Sequence, residues 1–173
     1  MGWVLERRML AVQRVPGAAR PPRNGQRAFW FLALCAVLVV SRWMTFPRYL
    51  ITFDEINFAL AVERFNPIMH QPQPPGYPLF VALLKLLSLI IPKIETVFFI
   101  AALVMSAASL ALVWRLCDMM LGQGRGIMAA LLLLFNPAFW LAALTNPVRL
   151  CSAAGTAAVV LCVWLACRGN SRR

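Results

Sequence analysis

The sequence predicts an all-α integral membrane protein with about four transmembrane helices. Of its 173 residues, 61% are hydrophobic and only 13% are charged, which is more apolar surface than a soluble domain of this size can bury. The apolar residues form long runs, and roughly 20 helical residues cross a hydrocarbon core of about 30 Å. The 17 basic residues, against 6 acidic ones, largely flank these runs. This arrangement favours topology signals at an anionic membrane surface over binding to nucleic acid.

The elements follow one another from the N-terminus. Residues 1–27 hold six arginines and one acid, which predicts a basic cytoplasmic tail, with a transit peptide as the alternative. Four runs are long enough to span a bilayer, and together they delimit a membrane domain over residues 28–167. The predicted spans are 28–46, 96–120, 126–145 and 147–167, followed by a second basic tail at 168–173.

A fifth apolar run, 78–91, has 14 residues and would reach only roughly 21 Å as a helix. Lys85 lies at its middle, so we predict a short juxtamembrane helix rather than a span. With four spans, 11 of the 17 basic residues fall on the inner side, whereas a fifth span would move the terminal arginines outside. The prediction is therefore a multi-pass membrane protein with both termini in the cytoplasm.

The third predicted span contains Asn136-Pro137 near its middle. Proline lacks the backbone N–H that a helix needs, so a kink is expected at this point. Neighbouring helices or water must then satisfy the carbonyl that loses its partner.

Metal-binding and disulfide patterns are missing from the sequence. The five cysteines lie within or at the ends of apolar runs, none forms a C-x-x-C pair, and His70 is the single histidine. Neither a zinc site nor a disulfide framework is indicated, and the cysteines are expected to pack as small hydrophobic residues.

The first outer loop concentrates the polar chemistry. Thr52 followed three residues later by Glu55 predicts a capping box and an amphipathic helix over residues 53–65. Its apolar face would lie on the membrane, and its first turn would point the carboxylates of Asp54 and Glu55 at the outer water. Acids in a first helical turn also complement the helix dipole without any further role, so that reading stays open. The apolar face consists of Phe53, Ile56 and Leu60.

A proline-rich stretch, HQPQPPGYP, begins at His70 and leads into the juxtamembrane helix. It is compatible with a stiff, solvated turn, with Pro78 near the first position of the next helix. Together with the acidic pair after the first span, it forms an unusual order of features.

This order resembles the N-terminal part of the membrane glycosyltransferases of the GT-C superfamily, in particular the bacterial branches related to protein O-mannosyltransferases and to the lipid A aminoarabinose transferase. The resemblance covers residues 28–167 and rests on Asp54-Glu55, His70 and the PPGYP sequence at 74–78. It implies transfer of a sugar from a polyprenyl-phosphate donor to an acceptor at the outer membrane face. Membrane lipid and this donor are the partners implied.

The resemblance also implies roles for individual residues. Asp54 would act as the general base that removes the acceptor's proton, and Glu55 would orient Asp54 or the acceptor. Arg48, Arg64, Lys85 and Arg149 are candidates to offset the phosphate charge, although each is equally compatible with snorkelling to the interface. No metal ligands are assigned, while a divalent cation is compatible with the resemblance. The residues expected to bind donor or acceptor are His70, Gln73, Tyr77, Arg48, Lys85, Asn146 and Arg149.

The sequence departs from the family in two ways. Where the family commonly has an acidic residue, this chain has Leu144-Thr145-Asn146-Pro147. Asn146 can bind a sugar or phosphate, but an N-terminal cap for the fourth span is the favoured interpretation. Family members are also much longer, so the resemblance leaves three alternatives for the 173 residues: a fragment of a larger enzyme, a truncated gene product, or a subunit completed by a second membrane chain.

Two other functions remain open from the sequence. The first is a non-catalytic membrane interaction subunit that retains the same scaffold. The second, less favoured, is a small transporter or channel component, because the spans offer few polar residues. Polar residues within the predicted spans include Ser106, Ser109, Asn136 and Thr156.

Overall fold

A computed structural model describes residues 24–170, with side chains from 25 to 168. Most of the predicted N-terminal tail and the end of the C-terminal tail lie outside the described residues. Within them the chain is helical and forms no strand. The helices are α1 (Asn24–Thr45), α2 (Phe53–Glu63), α3 (Pro78–Ser88), α4 (Ile94–Leu121), α5 (Gly126–Leu134), α6 (Pro137–Thr145) and α7 (Pro147–Asn170), with a 3-10 turn at Pro67–Met69.

Three helical segments are long and apolar enough to cross a membrane, namely Gly25–Thr45, Ile94–Leu121 and Pro147–Arg168. The pair α5 and α6 passes the same test when the two are taken together, but its halves are bent by 57°. The number of candidate spans is therefore three, or four if the bent pair counts as one. The predicted class, a helical membrane protein, agrees with this architecture.

The bend lies at Asn136-Pro137, where the sequence predicts it. Helix α6 begins at Pro137, and the Asn136 carboxamide oxygen accepts hydrogen bonds from the N–H groups of Ala138 (2.9 Å) and Phe139 (3.1 Å). Asn136 thus supplies an N-terminal cap in the middle of an apolar segment. The predicted kink is confirmed, and it is a complete helix end followed by a new start.

The carbonyl of Leu134 is satisfied from another helix. Arg42, on α1, donates from Nη2 to this oxygen at 3.2 Å. Its guanidinium carbon also lies 3.9 Å from the ring centroid of Trp140, on α6. The Ala138 N–H, which would serve this carbonyl in a continuous helix, donates to the Asn136 side chain instead, so a neighbouring helix supplies the donor.

Helix α4 is the centre of the packing and contacts α1, α3, α5, α6 and α7. Its first half packs with α2 and α3, its middle with α6 and α7, and its second half with α1 and α5. The three corresponding clusters include Phe58, Phe80 and Phe98; Ala102, Phe139 and Leu150; and Leu38, Leu110 and Leu134.

The two short helices differ slightly from their predicted bounds. Helix α2 ends at Glu63 instead of 65, because Arg64 takes an extended conformation, and α3 ends at Ser88 instead of 91. On α2 the predicted apolar residues, such as Phe53 and Ile56, are exposed at the protein surface, where a membrane can meet them. The side that packs against the protein carries Phe58, which the sequence analysis does not single out.

A buried carboxylate closes the turn between α4 and α5. Asp118 Oδ1 accepts hydrogen bonds from the N–H groups of Gly124 and Gly126, both at 2.9 Å. Its other oxygen accepts from Trp114 Nε1 at 3.0 Å and lies 3.5 Å from Arg27 Nη2. This one side chain therefore connects the start of α1, the end of α4 and the start of α5.

Gly126 permits this close approach. A Cβ at that position would overlap the carbonyl oxygen and ring of Trp114. We expect Gly126→Ala to lower the stability by about 1–3 kcal/mol, as overpacking does in other proteins. Thermal unfolding in detergent, followed by tryptophan fluorescence, measures the effect.

The matched control is Gly155→Ala on α7, where a Cβ meets no atom within 4 Å. We expect this variant to unfold at the same or a slightly higher temperature, because alanine costs less backbone entropy than glycine. Equal destabilisation by the two substitutions would contradict the close approach at Gly126.

Candidate functional site

The first turn of α2 is built by the predicted capping box. The Thr52 hydroxyl accepts a hydrogen bond from the Glu55 N–H at 3.2 Å. In return, Glu55 Oε2 accepts from the N–H groups of Thr52 (3.0 Å) and Ile51 (2.9 Å). The prediction of this motif is confirmed, and it fixes how the chain enters the helix.

The expected orientation of the two carboxylates is wrong for Glu55. Its side chain is 4% exposed and turned back onto the backbone, so it does not face the outer water. The physical reason is that the free N–H groups before and at the helix start attract the carboxylate more effectively than solvent does. Asp54, the neighbouring residue, is half-buried.

Asp54 meets a residue from the far end of the sequence. The Asn146 side-chain amide donates from Nδ2 to Asp54 Oδ2 at 2.9 Å. Beside this bond, the Thr52 hydroxyl donates to the Thr145 carbonyl oxygen at 3.0 Å. Two hydrogen bonds thus join the start of α2 to the connection between α6 and α7, and we call this contact the α2–α6/α7 junction.

The Asn146 side chain does not serve as the N-terminal cap of α7 that the sequence favours. Its amide donates to Asp54, and among the described residues no N–H group in the first turn of α7 donates to the Asn146 side chain. The backbone carbonyl of Asn146 accepts from the Arg149 N–H at 3.1 Å. Since Asn146 is 8% exposed, an unpaired amide there would be costly, and the carboxylate of Asp54 is a strong acceptor.

The junction leaves Asp54 with hydrogen-bonding capacity. Oδ2 is occupied by the Asn146 amide, whereas Oδ1 makes no hydrogen bond to any residue in the range 24–170. A carboxylate has acceptor sites on both oxygens and can accept a hydrogen bond from a hydroxyl. The arrangement can therefore hold a carboxylate in a fixed orientation while one oxygen stays available to a ligand.

One polar residue near the junction is missed by the sequence analysis. Asn57 lies one turn after Asp54 on α2, is 6% exposed, and its Nδ2 finds no partner in the described part of the chain. Side chains three positions apart share a helix face. That spacing in the sequence is the signal that could have drawn attention to Asn57.

The proline-rich stretch follows the C-terminal end of α2, whereas Asp54 lies in the first turn of that helix. His70 is exposed with a left-handed backbone (φ 57°), and the Gln73 carbonyl accepts from the Gly76 N–H. Tyr77 packs edge-on against Phe58 with ring centroids 5.8 Å apart. No described contact joins His70, Gln73 or Tyr77 to Asp54.

The candidate cations Arg48, Arg64, Lys85 and Arg149 are all exposed. Arg149 lies in the first turn of α7, three residues after Asn146, and Arg48 precedes α2. Lys85 is on α3, whose buried face is formed by other residues. Of the four, Arg149 is therefore the one attached most directly to the junction.

A divalent cation does not fit the side chains around Asp54. Asn146 presents an amide nitrogen to the carboxylate, and Glu55 is turned to the backbone. Among the described residues, no three His, Cys, Asp or Glu side chains are grouped in a way that could hold a metal ion. A carboxylate facing an N–H donor is a hydrogen-bonded pair and not a set of oxygen ligands.

Thr52 offers a direct test of the junction, because its hydroxyl both accepts from Glu55 and donates to Thr145. We expect Thr52→Ala to lower the stability by about 0.5–2 kcal/mol, the range found for lost N-terminal caps. Thermal unfolding in detergent gives the measurement. Thr52→Ser keeps the hydroxyl and should remain close to wild type; destabilisation by serine as large as by alanine would rule out the hydroxyl as the cause.

Comparison with known proteins assigns no family to this chain. No protein-family model, no curated protein and no solved structure matches it. The functional interpretation accordingly rests on the junction and on the motif residues themselves.

Proposed function

We propose that this protein is a GT-C-like glycosyltransferase, or the N-terminal part of one, in which Asp54 is the general base. The observation that carries the proposal is the 2.9 Å hydrogen bond that holds the half-buried Asp54 carboxylate against Asn146. A general base must be oriented and must keep an oxygen within reach of the acceptor proton. Asp54 is oriented and keeps Oδ1 without a described partner, whereas the Glu55 carboxylate is oriented but buried against the backbone by the capping box.

In the proposed reaction the acceptor hydroxyl donates a hydrogen bond to Asp54 Oδ1. As the acceptor oxygen bonds to the anomeric carbon of the sugar, Asp54 takes the hydroxyl proton. The bond between that carbon and the phosphate oxygen breaks on the opposite side, and its electron pair leaves with the polyprenyl phosphate. The result is inversion at the anomeric carbon.

The proposal changes two of the roles that the resemblance implies. The residue that orients the base is Asn146 instead of Glu55, because the Asn146 amide donates to Asp54 Oδ2. Asn146 is therefore a positioning residue rather than a donor-binding one. Arg149 and Arg48 are the candidates to offset the charge of the leaving phosphate, since both are exposed and flank the junction in sequence.

The proposal includes four crossings, with the junction at the outer face and the N-terminus in the cytoplasm of a bacterial cell. The contact between Asp54 and Asn146 supports this count. Helix α4 carries the chain away from the face that holds α2, so α5 and α6 must cross back for Asn146 to reach Asp54. At the other end, Arg27 and Asp118 bring the start of α1 beside the end of α4.

A non-catalytic membrane interaction subunit is the second candidate. It is supported by the large apolar surface on α7, where only 11% of the most apolar 18-residue window is buried inside the protein. Lipid or the helices of a second chain can cover that surface. Absence of sugar transfer by the isolated chain, together with co-purification of another membrane protein, would favour this candidate.

The central prediction concerns Asp54→Asn. This variant keeps the side-chain shape but cannot take a proton, so transfer from a polyprenyl-phosphate sugar should fall by about 10²–10⁴-fold, the range for general bases. Transfer is measured with radiolabelled donor in membranes containing equal amounts of inserted protein. Glu63→Gln, an exposed acid at the end of the same helix, is the matched control and should retain activity. Full activity in Asp54→Asn would remove this residue from the mechanism.

Topology gives an independent prediction. In a cysteine-free chain, Cys introduced for the exposed His70 should react with a membrane-impermeant maleimide in intact cells. Cys introduced for the exposed Gln123, in the connection after α4, should react only after the membrane is opened. The opposite pattern would place the junction in the cytosol, where the proposed donor is not used.

A further inference from the structure

Arg42 is a charged residue inside the first candidate span. It lies in the last turn of α1 and is only 1% exposed. A cation within a transmembrane segment is expensive and rare, so its contacts usually explain why it is retained. Neither the motif residues nor the proposed reaction uses it.

The contacts of Arg42 hold both halves of the bent helix pair. Nη2 donates to the carbonyl oxygen of Leu134, the last residue of α5. The guanidinium carbon, Cζ, lies 3.9 Å from the ring centroid of Trp140, one turn into α6. Nη1 donates to the hydroxyl of Ser41 at 3.3 Å, which anchors the group to its own helix.

Helix α6 transmits this geometry to the junction. It is a 9-residue helix, and its last residue is Thr145, followed directly by Asn146. A helix of that length is roughly 13 Å long and nearly rigid, so a change in its tilt displaces its end. The two groups that meet α2, the Thr145 carbonyl and the Asn146 amide, lie at that end.

We propose that Arg42 is a positioning residue that sets the 57° bend between α5 and α6 and thereby places Asn146 against Asp54. The geometric part is independent of catalysis, whereas the consequence for transfer rests on the proposed function. A guanidinium suits this task because its planar fork donates to a carbonyl while its face stacks on an aromatic ring. Lysine can replace the hydrogen bond but provides a poorer stacking surface, and methionine provides no N–H donor.

The test uses the rate of cross-linking between positions 54 and 146 as a measure of their proximity. Cys is introduced for both Asp54 and Asn146 in a cysteine-free full chain, and a short bis-methanethiosulfonate reagent joins them; the bond between Thr52 and Thr145 keeps the junction together. Arg42→Met should slow cross-linking by about tenfold, and Arg42→Lys by less. Arg115→Met, which removes an exposed arginine from α4, is the matched control and should cross-link at the unmodified rate.

Helicity and a monodisperse elution profile in detergent identify variants that are folded. If Arg42→Met is not folded, Arg42→Lys decides, because it keeps the charge and a donor. Unchanged cross-linking in folded Arg42→Met, or in Arg42→Lys when only that variant folds, would overturn the positioning role. Slower cross-linking in the folded variant, with Arg115→Met unaffected, supports it.

A second measurement connects the bend to the reaction. In the chain with its native Asp54 and Asn146, Arg42→Met should lower kcat for transfer by a larger factor than it raises KM for the donor, because displacement of Asn146 acts mainly on the orientation of the Asp54 carboxylate. Arg42→Lys should recover part of the loss. If the wild-type chain shows no transfer, an active transferase formed by this chain alone is ruled out, while the cross-linking result still decides the geometric role of Arg42.

Discussion

The interruption of the helix at Asn136-Pro137 is the constraint on which the rest of the structure depends. In an apolar environment each backbone N–H and C=O needs a partner, and proline removes one donor in the middle of an apolar segment. The protein satisfies the two sides of the break differently. Asn136 caps the new helix locally, and Arg42 reaches the last carbonyl of the old helix from α1. The break is thereby turned into a defined bend between two rigid segments.

The bend explains how two connections far apart in the sequence come to share one site. The bent pair ends where Thr145 and Asn146 contact the first turn of α2. At the opposite end of the bundle, Asp118 at the end of α4 contacts the start of α1 through Arg27 and the start of α5 through the Gly126 N–H. Polar contacts thus fix the two ends of the bundle, and apolar packing along α4 fills the region between them.

The features that could be predicted from the sequence are those that depend on neighbouring residues. The capping box at Thr52 and the break at Pro137 involve partners within four positions, so local pattern suffices. The contacts of Asn146 with Asp54 and of Arg42 with Leu134 join residues 92 positions apart, and no local pattern encodes them. The error over Glu55 has another origin. A carboxylate that completes a capping box is turned to the backbone and cannot also face the water, so the two expectations for that side chain exclude each other.

The identity of residue 146 decides what kind of site the junction can be. An aspartate there would bring two carboxylates within hydrogen-bonding distance, and such a pair needs a shared proton or a cation between them. Asparagine removes that requirement, since its amide donates directly to Asp54 Oδ2. The same hydrogen bond leaves Oδ1 as the oxygen able to receive a proton from an acceptor. Asparagine at position 146 is therefore compatible with the proposed base catalysis by a single carboxylate, oriented by a neutral neighbour.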